Sequence, residues 1–317
     1  MATIPGGVIG APVTPFTPDD EVDLPRLAEL CDQMVADGMH GVALPLHTGE
    51  SVSLSVEERR AVVECAAEAI AGRVPMLVHV SMPGTREAVA LAQHAEAAGA
   101  SAVIAVTPYH WRPSPQGLEQ HYRALASAVS IGVMAYNFPS RLGVSLAPET
   151  LERLIQTCPN FVGVKDASYD MQSFTEACRR TAALRPDFAM MTGVEYLLPS
   201  MTVGGAGCFS PMAALAPRLV LDLWAACVAH DWQVARELQH VASALWHLLR
   251  ELGYPASVKA ALALRGLPVG SVRSPLTDLT PSAREHLAAC LDQLLAVPSA
   301  ASDERCGGDR VLHVTQK

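Results

Sequence analysis

The chain has 317 residues, half of them apolar and 17% charged, which is enough to build a large core and excludes a disordered, collagen-like or small disulfide-stapled protein. A formal net charge of −9 without any dense basic run argues against a nucleic-acid or anionic-membrane surface. No stretch approaches the roughly 18 consecutive apolar residues of a membrane span, and Met1 to Gly10 lack the charged and apolar regions of a signal peptide.

From the N-terminus, an apolar run over Val8–Val13 precedes an amphipathic stretch over Asp23–Asp37, the first strand and helix expected. Strands follow at Gly41–Leu46 and Pro75–Val80, with a helix over Ser55–Ala71 between them. Ser55 and Glu58 form the spacing of a capping box at its start. A helix over Gly84–Ala98 leads to a strand at Ala102–Thr107, and one over Gly117–Ala128 leads to a strand at Gly132–Asn137. Further strands are expected at Phe161–Lys165, Phe188–Gly193 and Gly207–Ser210. Parallel strands need crossovers of this length. Eight strand–helix units ending near residue 230 therefore predict a closed (β/α)₈ TIM barrel rather than an open sheet. No G-x-G-x-x-G follows the first strand, which speaks against a dinucleotide site.

Beyond the barrel, residues 231–297 read as helices packed on its side: Trp232–Leu252, Pro255–Leu264 and Pro281–Leu295. The small, polar segment Pro298–Lys317 is expected to be a disordered tail. Eight widely spaced cysteines without C-x-x-C pairs predict reduced thiols and a cytoplasmic protein.

Only three of the 23 Lys and Arg residues are lysine: Lys165, Lys259 and Lys317. Lys165 ends the sixth apolar run, at the strand end where barrel active sites sit. Desolvation there lowers an amine's pKa, and a neutral amine is what attacks a ketone to give a Schiff base. The alternative is a snorkelling lysine or a pair with Asp166. Tyr136 ends the neighbouring strand, so its phenol can approach that amine and shuttle protons. Arg141, in the following loop, offers a planar fork for a carboxylate. Leu46-His47-Thr48-Gly49-Glu50 closes strand two and supplies a hydroxyl and backbone N–H groups as an anion cradle. His110, in Thr107-Pro108-Tyr109-His110, adds an imidazole near strand four. The histidines show no H-x-x-x-H spacing, so no metal is expected.

In order along the chain, Thr48-Gly49-Glu50, Val106-Thr107-Pro108-Tyr109, Tyr136-Asn137-Phe138-Pro139-Ser140-Arg141-Leu142-Gly143, Gly163-Val164-Lys165-Asp166-Ala167-Ser168 and Gly204-Gly205-Ala206-Gly207 resemble the dihydrodipicolinate synthase / N-acetylneuraminate lyase family of class I aldolases. The resemblance extends from about Val8 to Leu295. It implies a TIM barrel with a C-terminal helical extension, a homotetramer, no metal or organic cofactor, and 2-oxo acid and aldehyde substrates. It makes Lys165 the Schiff-base lysine and Tyr136 the proton-relaying phenol. Thr48, with the backbone of His47 and Thr48, takes the carboxylate of pyruvate or another 2-oxo acid.

The chain also departs from the pattern. Synthases of this family show Gly-Thr-Thr-Gly-Glu where this chain has Leu46 to Glu50, and a second tyrosine, reaching into the neighbouring subunit's site, where His110 stands. Their Tyr-Thr-Tyr relay therefore reads His110, His47 and Tyr136 here, and imidazoles titrate near neutrality. Phe209 replaces a smaller aliphatic residue in the pocket wall. Val52, Val56 and Pro83 stand at positions resembling a feedback lysine site and offer it no polar ligand. The leading reading is a Schiff-base aldolase or lyase acting on pyruvate or a pyruvate-derived 2-oxo acid. 4-Hydroxy-tetrahydrodipicolinate synthesis, dehydration of a sugar-derived 2-oxo acid and a catalytically silent binding barrel are the alternatives.

Overall fold

The apolar runs are hydrophobic on both faces, and strands of that kind belong in a parallel sheet covered by helices. The computed structural model describes Ile4 and residues 6–296, so the expected tail over Pro298–Lys317 lies outside the described residues. Eight strands form: β1 (Gly7–Gly10), β2 (Gly41–Leu44), β3 (Met76–His79), β4 (Ala102–Val106), β5 (Gly132–Asn137), β6 (Phe161–Asp166), β7 (Ala189–Thr192) and β8 (Gly207–Ser210). Each pairs in parallel with the next, and β8 closes on β1, giving the expected (β/α)₈ barrel.

Boundaries shift for local reasons. β1 and β2 stop short of Val13 and Leu46 because Pro12 and Pro45 have no N–H to offer the ladder. The helix expected from Gly117 begins at Pro115: the Ser114 side chain caps it by accepting the Gly117 N–H, and proline suits the first turn. The capping box forms as read, with the Ser55 N–H donating to Glu58 Oε2 at 2.7 Å and the Glu58 N–H donating to Ser55 Oγ at 3.1 Å.

Strand alternation divides the side chains between two cores. Val42, Val103 and Val164 join the layer beneath the helices, whereas Leu77, Ile104, Met134 and Phe209 fill the barrel interior. The C-terminal helices Trp232–Glu251, Ala256–Leu264 and Pro281–Leu295 insert Leu245, Leu262 and Leu287 into the first of these layers. This extension therefore shares the barrel's apolar layer.

One link between them is polar. Lys259 Nζ lies 2.7 Å from the Glu50 carboxylate, both side chains buried, and donates to the Ser271 carbonyl at 2.8 Å. Glu50 also accepts the Arg273 N–H at 2.8 Å. The turn after β2 is thereby tied to the extension. Lys259→Met leaves a buried carboxylate without its counter-charge and is expected to cost about 3–5 kcal/mol. Adding Glu50→Gln should restore part of that loss. Denaturant unfolding of both variants measures the effect, and a Lys259→Met protein as stable as the parent would contradict it.

Candidate active site

The catalytic end of a barrel is the C-terminal rim of its strands, where the last inward side chains and the loops meet. β5 and β6 align Tyr136 opposite Lys165. Lys165 is 3% exposed, and its Nζ lies 3.9 Å from the centre of the Tyr136 ring and 5.0 Å from that of Phe209. Burial pulls the amine down to about 7, partly opposed by the Glu195 carboxyl. Near neutrality the neutral nucleophile is thus abundant. The two ring faces can stabilise positive charge on this nitrogen. Tyr136 is 4% exposed, and burial holds its phenol well above the usual range, so it keeps its proton. Phe138 stacks on it at 5.5 Å and 5°.

Lys165 and Tyr136 open into a cavity of about 330 Å³, lined also by His47, Thr48, Phe138 and Arg141. In the turn after β2, the Gly49 N–H donates to the Leu46 carbonyl and the Glu50 N–H to that of His47, each at 3.1 Å. The N–H groups of His47 and Thr48 have no backbone acceptor among the described residues. They and the buried Thr48 hydroxyl are the polar groups of this turn at the cavity. Gly49 belongs to the turn rather than to the cavity lining. A Cβ there would stand 3.0 Å from Thr14 Oγ1 and 3.3 Å from the Pro12 carbonyl, so glycine permits close packing.

The two histidines part company. The His47 ring sits between Phe138 at 5.7 Å and Tyr254 at 5.6 Å. Burial, then the Arg141 and Lys165 charges, push it down to about 4. At neutral pH it is an uncharged imidazole, not the proton-donating imidazolium. His110 does not line the cavity; it is exposed, in a left-handed conformation at φ 72°, with its ring edge-on to Trp111 at 4.9 Å. Phe209 is fully buried in the barrel interior near the Lys165 amine and is also absent from the lining. Arg141 is exposed on the short helix Pro139–Leu142 at the cavity wall.

Several site residues carried no signal that sequence reasoning used. Glu195 follows β7, and the rim rule applied to Gly193-Val194-Glu195 would have found it. Its buried carboxyl accepts from the Ser210 hydroxyl and, at 3.2 Å, from the Met212 N–H, and burial raises it to about 7. Glu195 does not itself line the cavity, whereas Tyr169, Trp246, Arg250 and Tyr254 do, the last three from the C-terminal extension. Among the described residues no group of three or more His, Cys, Asp or Glu side chains could hold a metal ion.

A lysine amine at an apolar strand end, faced by a protonated phenol, defines a Schiff-base-forming barrel enzyme, a lyase of the class I aldolase type. Comparison with known proteins places it further. Residues 4–294 match the family model of the dihydrodipicolinate synthetase family. A 4-hydroxy-tetrahydrodipicolinate synthase of Bartonella tribocorum is 37% identical over 280 residues, covering 88% of this chain and 94% of its own. The Bacillus subtilis protein of the same name is 36% identical over 294 residues, covering 91% and 99%. The solved structure of the Methylacidiphilum fumariolicum SolV synthase matches with a TM-score of 0.87 at 32% identity, covering 92% of this chain and 96% of that one. YagE from E. coli K12, solved in complex with pyruvate, matches at 0.88 and 28% identity, covering 92% and 98%. The chain belongs to the dihydrodipicolinate synthetase family.

Proposed function

We propose that the protein makes or breaks a carbon–carbon bond beside the carbonyl of pyruvate, or of a pyruvate-derived 2-oxo acid, through an enamine on Lys165. The observation that carries this reading is the Lys165 amine at the inner end of β6, opposite Tyr136 and drawn down to about 7. The neutral amine attacks the ketone carbon, and the resulting carbinolamine loses water to give a protonated imine. That imine is an electron sink: loss of a proton from the adjacent carbon gives the enamine, which attacks an aldehyde carbon. Tyr136 supplies the proton that the new alkoxide takes up, and the reverse sequence cleaves the bond. Thr48 and the free N–H groups of His47 and Thr48 hold the carboxylate, and Arg141 faces an acidic acceptor. His47, neutral beside Phe138, narrows the acceptor side and can accept a proton from a substrate hydroxyl.

Condensation of pyruvate with aspartate semialdehyde, the synthase reaction that the relatives' names suggest, is the second reading. The homotetramer implied by the family resemblance and the cytoplasmic location read from the widely spaced cysteines are retained. In such an assembly the exposed His110 and Trp111 are free to meet another subunit. No helix among the described residues is long and apolar enough to cross a membrane, and the seven described cysteines are free thiols.

Borohydride reduction in the presence of pyruvate, read by intact mass, should add one reduced pyruvyl group per chain. The rate of imine formation should rise as pH passes upward through about 7, because the ammonium form, dominant below that value, cannot attack. No adduct at any pH would end the proposal. A panel of aldehydes with pyruvate, including aspartate semialdehyde, then separates the two readings.

A further inference from the structure

The helix Trp232–Glu251 ends just before Gly253, whose φ of 102° suits glycine and turns the chain back over the barrel mouth. The next residue, Tyr254, brings its hydroxyl into hydrogen-bond contact with Thr48 Oγ1, across 206 positions of sequence. The same segment grips the same turn a second time, through Lys259 and Glu50. The Tyr254 ring is fixed from two sides, by Trp246 at 5.2 Å and His47 at 5.6 Å. So much restraint on one phenol has a chemical consequence for the threonine it touches.

A threonine hydroxyl carries one hydrogen and two lone pairs, and it can rotate to offer either. Beside a carboxylate only the hydrogen is useful; a lone pair turned towards that anion repels it. A phenol is a stronger acid than an aliphatic alcohol and the better donor, and burial of Tyr254 raises its pKa, so the phenol retains its proton. With the Tyr254 O–H donating to Thr48 Oγ1, the Thr48 hydrogen is left pointing elsewhere. Both residues line the cavity, so that hydrogen is free to turn into it. Each hydrogen bond in such a chain polarises the next, from phenol to alcohol to carboxylate.

We infer that Tyr254 is a positioning residue of the substrate site: it donates to Thr48 and so commits the threonine hydrogen to the 2-oxo acid carboxylate. The C-terminal extension is thereby part of the binding site. This rests on the reading above that Thr48 takes the carboxylate.

The test uses the full-length protein and pyruvate, with imine formation trapped by borohydride and read by intact mass. Two quantities are taken: the pyruvate concentration for half-maximal trapping, and the trapping rate at saturation. Tyr254→Phe removes one oxygen and keeps the ring against Trp246 and His47. It should raise the half-saturating concentration roughly three- to tenfold, as expected for one net hydrogen bond. The saturated rate should change less than twofold. Thr48→Val should raise the same concentration at least as far, and the double variant should be no weaker than Thr48→Val alone, because the pair acts as one unit. Thr48→Ser keeps the hydroxyl and should preserve the sensitivity to Tyr254→Phe. Thermal unfolding confirms that the variants fold; should Tyr254→Phe fail to, the Thr48→Ser and Thr48→Val pair with Tyr254→His carries the cycle. Additive losses, or a loss confined to the saturated rate, overturn the inference. If Thr48→Val weakens trapping and Tyr254→Phe does not, the inference fails while Thr48 keeps its carboxylate role. If Thr48→Val leaves trapping unchanged, that role fails and the inference falls with it.

Discussion

Lys165→Ala is expected to acquire no pyruvyl adduct under borohydride and to lose turnover on the order of 10⁴-fold or more, the scale on which removal of a covalent nucleophile is felt. The chain's other described lysine, Lys259, is tied to Glu50, so it cannot easily substitute. The variant should fold, and with a stability equal to or above the parent's. An amine that burial draws down to about 7 is held in a site that disfavours its charge, and alanine relieves that penalty. Intact mass after reduction and a thermal melt check both halves. A Lys165→Ala protein that still gains one reduced pyruvyl group would be fatal to the assignment.

Tyr136→Phe separates the phenol's proton from its ring. The ring face 3.9 Å from Lys165 Nζ remains, as does the stack on Phe138, so the amine's surroundings and the fold should hardly change. Loss of a general acid–base group costs about 10²–10⁴-fold in rate, and the deficit should appear in turnover with whichever aldehyde the panel identifies. Because burial holds this phenol protonated throughout the neutral range, its contribution should not titrate between pH 6 and about 9. Turnover within twofold of the parent would show that Tyr136 merely packs.

The sequence by itself determined the barrel and the side-by-side placement of Lys165 and Tyr136 at its rim. Each strand is short and apolar on both faces, and each crossover is long enough only for parallel pairing, so eight units in a row leave little choice but closure. That placement was legible because each stands one residue before its strand ends, adjacent strands lie side by side, and period-two alternation decides which way each points. Thr48 was legible only through its motif, since the turn that carries it lies beyond the strand.

Past the strand ends no period governs direction, and there the tertiary structure decided. It turned His110 outwards at a positive φ and made Gly49 a packing residue against Thr14. It also carried Trp246, Arg250 and Tyr254 to the cavity from a helical extension whose own apolar pattern announces only that it packs on the barrel. A contact such as Thr48 to Tyr254, made between segments far apart in the chain, depends on how the extension seats on the whole fold, and no local run of residues encodes that seating.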